Sequence, residues 1–323
     1  MNASNDAMDP LQPFGPIELR IAARSTAARD VVVLDLDAAD GAPLPAWRPG
    51  AHVDLEIPGS SIIRQYSLCG DPADPSRYRV AVLREPAGRG GSDALHRMPQ
   101  GSRLIARAVR NHFVFTPGER FIFVAGGIGI TPLLPMISEA NADGAEWELH
   151  YAGRSRSAMA FVDELVAMHP ERVHVYAADE GRRLDIPVLA MTLAAGAAAY
   201  GCGPARMLDD LAELAPSAAV YVERFTPEGL PVVGRANDES FDVHFARSDL
   251  RVRVEPGQSI LEVGEVAGAD VFGSCLEGIC GTCETRVLGG VPQHRDSVLG
   301  GEDTGTMMIC VSRAAGPLLT LDA

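Results

Sequence analysis

The stretch Cys275-Leu276-Glu277-Gly278-Ile279-Cys280-Gly281-Thr282-Cys283 decides how the last third of this chain folds and what it holds. Its cysteines are spaced C-x4-C-x2-C, and Cys310 follows after 26 further residues. Four thiolates in this lopsided three-plus-one spacing suit a plant-type [2Fe–2S] cluster. Structural zinc sites more often pair two short C-x2-C-like units, which this is not. Gly273, Gly278 and Gly281 remove side chains where a loop must wind tightly and aim backbone N–H groups at sulfur. Cysteines that only filled a core would have no reason to gather in such a loop. Cys275, Cys280, Cys283 and Cys310 are therefore read as metal ligands. Cys69 and Cys202 fall outside the set, and Cys69 is read as a core residue.

Outward from the loop, residues 241–245 and 250–254 read as a hairpin-like pair, and residues 259–267 as a helix. Together they define a third unit, 241–323, preceded by a linker at 226–240 that carries Pro227, Gly229, Pro231 and Gly234. Further upstream the pattern alternates. Continuous apolar runs at 121–125, 148–151, 173–177, 198–201 and 220–222 read as buried parallel strands. Helical stretches such as 160–168 and 205–214 lie between them, so residues 118–225 are expected to form a doubly wound parallel α/β domain. Residues 17–117 show short strand-like runs at 31–36, 51–57, 65–69, 79–84 and 103–110, punctuated by Gly and Pro, as in a small antiparallel β-barrel.

Composition excludes much else. The net charge is −15, with 28 basic residues against 43 acidic. Nucleic acid and anionic membranes are held mainly by excess cations, so neither is an expected partner. Every basic residue is Arg. Without lysine the chain cannot be a Schiff-base aldolase, a pyridoxal-phosphate enzyme or a P-loop NTPase. The most apolar stretch, residues 121–137, is too short to span a membrane and is broken by Gly126, Gly127, Gly129, Pro132 and Pro135. Residues 1–16 are polar and show no signal-peptide pattern, so a flexible N-terminus and a cytoplasmic location are expected. The eight histidines show no metal-like pairing in sequence and are read as surface or core residues.

Several short motifs complete the pattern. They are Arg64-Gln65-Tyr66-Ser67-Leu68, Gly88-Arg89-Gly90-Gly91-Ser92, Ala125-Gly126-Gly127-Ile128-Gly129-Ile130-Thr131-Pro132, Tyr151-Ala152-Gly153-Arg154-Ser155, Cys202-Gly203-Pro204 and Ile309-Cys310-Val311-Ser312-Arg313-Ala314. Arg64 supplies a guanidinium suited to phosphate, and Tyr66 a flat face for a ring. Gly90-Gly91-Ser92 leads into a helix start, where N–H groups can face an anion. Gly126–Gly129 lies between a buried strand and a helix, where ligands of open α/β sheets bind, although it lacks the G-x-G-x-x-G spacing. Thr131 is expected to cap that helix and Pro132 to occupy its first turn.

From about residue 17 onward these motifs resemble the phthalate dioxygenase reductase family, and closely its vanillate O-demethylase reductase branch. The resemblance implies an FMN-binding barrel, an NAD-binding domain and a C-terminal plant-type ferredoxin (β-grasp) domain. It places FMN against Arg64, Gln65, Tyr66, Ser67, Val82, Arg84, Gly90, Gly91, Ser92, Thr131 and Phe225. It places NADH against Gly127, Ile128, Gly129, Thr131, Arg154, Ser155, Asp179, Cys202, Gly203, Pro204 and Met207. Ser67, beside the flavin nitrogen that receives hydride, and Cys202, beside the nicotinamide, are the residues implied nearest the chemistry. Arg154 and Arg156 would suit the 2′-phosphate of NADP, whereas Asp179 would suit the ribose hydroxyls of NAD; NAD is the expected nucleotide.

The implied activity passes electrons from NADH through FMN to the cluster, and then to a Rieske-type oxygenase on a separate chain. No Rieske motif or mononuclear-iron triad occurs here, so oxygenation would happen elsewhere. A monomer is expected. The third unit carries 14 acidic residues against 6 Arg from Ala236 onward, which would either steer docking to a basic partner or serve solubility alone. Two alternatives stay open: an FAD-containing ferredoxin reductase serving another acceptor, and a non-catalytic iron–sulfur redox sensor.

Overall fold

The computed structural model describes residues 15–59, 62–86, 88, 90–193, 197–214, 219–225, 238–273, 275–299 and 305–323. The chain divides into two units, Met1–Glu223 and Arg224–Ala323.

Six strands open the first unit: β1 (Ile17–Ala28), β2 (Val31–Ala38), β3 (His52–Glu56), β4 (Ile63–Ser67), β5 (Tyr78–Leu83) and β6 (Arg103–Arg110). They pair antiparallel in the order β4-β3-β6-β1-β2-β5. A bridge between Leu68 and Val80 joins the two outer strands and closes the barrel, which removes the exposed edges an open sheet would present. Alternate residues of each strand, among them Leu34, Leu36, Val53, Leu55, Val80 and Leu104, fill its interior. Helix α1 (Gly91–Arg97) follows β5 and packs Leu95 into that interior.

The same unit continues with β7 (Arg120–Gly126), α2 (Leu133–Ala142), β8 (Glu146–Gly153), α3 (Val162–Met168), β9 (Val173–Ala177), α4 (Ile186–Thr192), β10 (Ala198–Cys202), α5 (Ala205–Leu214) and β11 (Ala219–Glu223). These five strands are parallel in the order β11-β10-β7-β8-β9. The chain builds outward from β7 in one direction and then returns to build β10 and β11 on its other side. The switch point between β7 and β10 is where open α/β sheets bind ligands, at the carboxyl ends of the strands.

Barrel and α/β sheet share one apolar core, which is why they form a single unit. Val31, Val33, Cys69 and Ala81 from the barrel belong to the same cluster as Phe123, Leu149 and Tyr200 from the sheet. The connecting segment supplies Phe113 and Phe115, and Phe115 packs its ring on Phe121 and Tyr200 at 4.8 and 5.2 Å. Cys69 is the buried core residue expected; burial pushes its thiol up to about 12.

The second unit contains β12 (Phe241–Phe245), β13 (Leu250–Val254), α6 (Ile260–Ala267), β14 (Glu284–Gly289), β15 (Pro292–Gln293), β16 (Thr306–Met308), β17 (Arg313–Ala314) and β18 (Leu318–Leu321). Its main sheet runs β13-β12-β18-β14-β16, with β12 and β18 parallel. Helix α6 packs Ile260 and Leu261 against this sheet, the arrangement of a β-grasp domain. Ser259 caps the helix by accepting from the Glu262 N–H at 3.1 Å, and Gly268 closes it in the left-handed region. Residues 226–237 of the expected linker lie outside the described residues. Its last residues belong to the folded unit: buried Arg295 donates to both oxygens of Asp238, at 2.6 and 3.2 Å. Among the described residues no helix is long and apolar enough to cross a membrane.

Candidate cofactor sites

The four cysteines Cys275, Cys280, Cys283 and Cys310 are all buried and none is disulfide-bonded. Their thiols converge: Cys275 meets Cys280 and Cys310, and Cys310 also meets Cys283. Backbone N–H groups point at the sulfurs, with Glu277 and Ile279 donating to Cys275 and Thr282 to Cys280. The neighbouring Cys280 and Cys310 thiols, with a smaller part from these N–H groups, push the Cys275 thiol down against the rise that burial alone would cause. The loop can turn this tightly because Leu276, Gly278 and Gly281 adopt positive φ of 60°, 69° and 73°. A side chain at Gly278 would strike Val311 and the Asp296 backbone. Asp296 in turn braces the next segment by accepting from Val298, Leu299 and Ser312. Four soft, convergent donors ringed by N–H groups fit a [2Fe–2S] cluster.

In the barrel, Arg64, Gln65, Tyr66 and Ser67 occupy successive positions of β4. The Arg64 side chain lies across Gly91 at the start of α1, where a Cβ would sit 2.7 Å from Arg64 Cγ and 3.3 Å from Nε. Gly90 precedes it in the left-handed region. A guanidinium stem and a bare helix start thus share one space, a cradle suited to phosphate. Ser92 does not cap α1; its hydroxyl accepts from the Glu85 N–H at 3.0 Å and ties the preceding loop shut. Arg89 lies outside the described residues.

Other expected flavin residues are engaged by the protein. Arg84 donates to Asp93 at 2.7 Å. Gln65 donates to Asp54 at 2.9 Å, and Asp54, wholly buried, also pairs with Arg110. Val82 presents no side chain to a ligand, because it is wholly buried in the barrel core and its carbonyl meets His96 at 2.9 Å. Ser67 is buried opposite His52. Burial pushes the Tyr66 phenol above its ordinary value, and Arg64 acts in the other direction.

The two glycine turns meet at the switch point. A Cβ on Gly129 would lie 2.2 Å from the Cys202 carbonyl oxygen, and one on Gly203 only 2.8 Å from Gly126 Cα. Met207 covers both, with its Cε 3.2 Å and 2.6 Å from the positions of those Cβ atoms at Gly126 and Gly203. Only glycine lets these backbones approach so closely. Tyr151 locks the first turn by sharing its one hydroxyl proton between the carbonyls of Gly127 and Ala160, at 3.0 and 3.1 Å.

The expected cap is corrected. Gly127–Ile130 form a 3₁₀ turn, Thr131 is already helical, and its hydroxyl turns back to the Ile128 carbonyl at 3.0 Å. Pro132, in place of Thr131, stands at the N-cap of α2.

Cys202 ends β10 wholly buried, and burial holds its thiol well above its ordinary range. Beside it in register stands Glu223 of β11, whose carboxyl burial pushes up to about 8. Sequence reasoning missed Glu223; its only signal is an acid closing the strand Ala219–Glu223.

Toward the other end of the sheet, the Asp179 N–H donates to the Arg154 carbonyl at 3.1 Å and brings those two residues together. Arg156, still part-exposed, pairs with exposed Asp163 at 2.8 Å. Ser155 accepts from Arg29 of the barrel at 3.3 Å. A cleft of about 370 Å³ lies here, lined by Arg29, Leu83, Arg84, Gly127, Ile128 and Arg154 among others. Phe225 is exposed and belongs to the second unit.

The histidines are not all scattered, contrary to their sequence reading. His150 and His174 stand opposite each other on β8 and β9 with rings 4.8 Å apart. Burial, with His174 beside it, holds His150 down to about 4.

A parallel nucleotide sheet joined to an antiparallel barrel, with a four-cysteine β-grasp domain on the same chain, defines a modular oxidoreductase class. The 2Fe-2S iron-sulfur cluster binding domain family matches residues 243–315. The phenoxybenzoate dioxygenase subunit beta of Ectopseudomonas oleovorans is 41% identical over 96% of this chain and 98% of its own length. The vanillate O-demethylase oxidoreductase of a Pseudomonas species is 38% identical over 95% and 99%. Among solved structures, phthalate dioxygenase reductase, described as a modular structure for electron transfer from pyridine nucleotides to [2Fe-2S], is 34% identical over 96% of this chain and 98% of that one, with a TM-score of 0.70. An intact type IV self-sufficient cytochrome P450 monooxygenase matches at 40% identity and TM-score 0.87 over 95% of this chain, which spans 41% of that longer protein. This chain belongs to the phthalate dioxygenase reductase family, the flavin and iron–sulfur reductase components of oxygenase systems.

Proposed function

We propose that this protein takes hydride from NADH onto FMN and delivers electrons singly, through a [2Fe–2S] cluster, to a Rieske-type oxygenase carried on a separate chain. It would do so as a cytoplasmic monomer. The observation that carries the reading is the convergence of four buried thiols, ringed by N–H donors, in a chain that also packs two glycine turns at the switch point of a nucleotide-type sheet. When bound, FMN accepts two electrons together and releases them one at a time, and the cluster carries one.

The residues divide that work. Cys275, Cys280, Cys283 and Cys310 hold the iron, while the N–H groups of Glu277, Ile279 and Thr282 stabilise negative charge on sulfur and so raise the potential. Arg64, with the bare start of α1 at Gly90 and Gly91, would hold the flavin phosphate, and Tyr66 and Ser67 of the same strand are the proposed ring contacts. Gly127–Gly129 and Cys202–Pro204, packed directly against each other, would form the floor on which the nucleotide lies, with Met207 beside them. Asp179, held to the Arg154 backbone, would take the ribose hydroxyls, which supports NADH over NADPH. Phe225 and Thr131 remain proposed flavin contacts.

The test is twofold. Acid-released flavin should chromatograph as FMN, and cytochrome c reduction should proceed with NADH much faster than with NADPH. Release of FAD would move the reading to the FAD-containing alternative, and absence of any NADH-driven reduction would promote the redox sensor.

A further inference from the structure

On the face of the α/β sheet away from the barrel, beyond the part covered by α4 and α5, three side chains meet that the electron path does not use. Parallel pairing sets His150 of β8 directly opposite His174 of β9. Glu148, two residues before His150, shares its face, because strand side chains alternate. The same face further inward carries Ile122 and Val124, which pack under α4 and α5. Toward the sheet edge that cover ends, leaving Glu148 and His174 half-exposed and His150 buried beneath them.

The distances are informative. Glu148 Oε2 lies 3.6 Å from His150 Nε2 and 3.5 Å from His174 Nε2. Both exceed a good N–H···O hydrogen bond. They match the edge of a coordination tetrahedron: zinc bonds of about 2.0–2.1 Å place neighbouring ligand atoms roughly 3.3–3.4 Å apart. All three ligand atoms lie within 4.8 Å of one another. His150 Nε2 is buried and makes no hydrogen bond, so a buried, unpartnered ring nitrogen points into this space. Its other ring nitrogen, Nδ1, meets the Tyr176 hydroxyl at 3.0 Å. With Nδ1–H donating to that oxygen, Nε2 is left as the acceptor, the outer-shell arrangement that metal-bound histidines show.

We propose that Glu148, His150 and His174 form a second metal site, separate from the cysteine cluster, for a divalent transition cation of the zinc class. Two imidazoles and one carboxylate select zinc, copper or nickel over magnesium and calcium, which demand oxygen-rich shells. Three protein ligands leave one position open to solvent on the exposed side. The cation ties the edge strand β9 to β8, and β9 runs on into the turn that carries Asp179.

The test uses the full chain, tag-free and purified with its flavin and cluster, titrated with Zn²⁺ and separately with Mg²⁺ by calorimetry. Thermal melting is recorded with and without zinc. One equivalent of Zn²⁺ is expected to bind and raise Tm, with Mg²⁺ silent. His174→Ala and Glu148→Gln, both at half-exposed positions, should weaken zinc binding at least about tenfold and abolish the Tm rise. His174→Gln keeps the bulk and serves as the second variant. The visible spectrum of flavin and cluster should stay unchanged throughout, which excludes zinc entering the cysteine site. Zinc binding equal in wild type and variants, no binding by wild type, or equal binding of magnesium would each overturn the proposal.

Discussion

Gly129→Ala tests whether the two glycine turns act as one nucleotide site. The new Cβ would stand 2.2 Å from the Cys202 oxygen, 2.5 Å from its carbon and 2.9 Å from the Gly203 nitrogen, where ordinary contact begins at 3.4 Å. All three atoms are backbone, so no rotamer change relieves the clash. Gly129 carries no positive φ, and the cost is therefore steric alone. The turns after β7 and β10 must separate by about 1 Å, and overpacking of this kind costs about 1–3 kcal/mol. If that separation falls on the NADH site, kcat/KM for NADH drops about 5- to 150-fold. Tm falls by about 2–4 °C for each kcal/mol lost. Ferricyanide reduction reads this step without needing the cluster. An unchanged kcat/KM for NADH, in a variant whose Tm has fallen, would refute the assignment of these turns to the nucleotide. An unchanged Tm as well would refute the packing argument itself.

Three other outcomes follow from the geometry. Gly91→Ala should loosen flavin retention while sparing stability, because its Cβ displaces the flexible Arg64 side chain and not backbone; equilibrium dialysis of FMN checks it. Cys283→Ser should remove the iron–sulfur absorbance and cytochrome c reduction yet keep NADH-driven ferricyanide reduction, measured side by side. Glu223 keeps its proton to about pH 8 when folded, whereas an unfolded carboxyl loses it near pH 4.5. The native state therefore binds the extra proton, and stability should fall as pH rises through that window by an amount on the order of a few kcal/mol. Glu223→Gln should flatten that slope in urea titrations at pH 5 and pH 8, and an unaltered slope would show that Glu223 does not cause it.

Much of this fold was legible because turn residues bound its strands. Strand β6 starts just after Gly101 and Ser102, and β9, β12, β13 and α5 match their expected limits. Strand β1 was missed because Ile17–Ala28 is rich in Ala, Arg, Ser and Thr, with five of its twelve residues exposed and only two buried. Its strand character comes from pairing on both sides with β2 and β6, through two bulges. Helix α4 was missed although Asp185 caps it by accepting from the Val188 N–H; Pro187 reads as a breaker until it is placed in the first turn.

The candidate sites divide in the same way. The cysteines were legible because three of four ligands sit on one loop. The glycine turns were legible singly, but their mutual contact needs the strand order β10-β7. Glu148, His150 and His174 illustrate the limit: 23 residues lie between the two histidines in sequence. Only the register of β8 against β9 brings them together.

The most direct test of the electron path is an anaerobic visible spectrum of the purified protein before and after one equivalent of NADH. The account predicts flavin and iron–sulfur absorbance that both bleach, with the flavin leading. Flavin bleaching beside an unchanged cluster would contradict transfer between the two units, and folded protein with no flavin absorbance would contradict the reductase reading altogether.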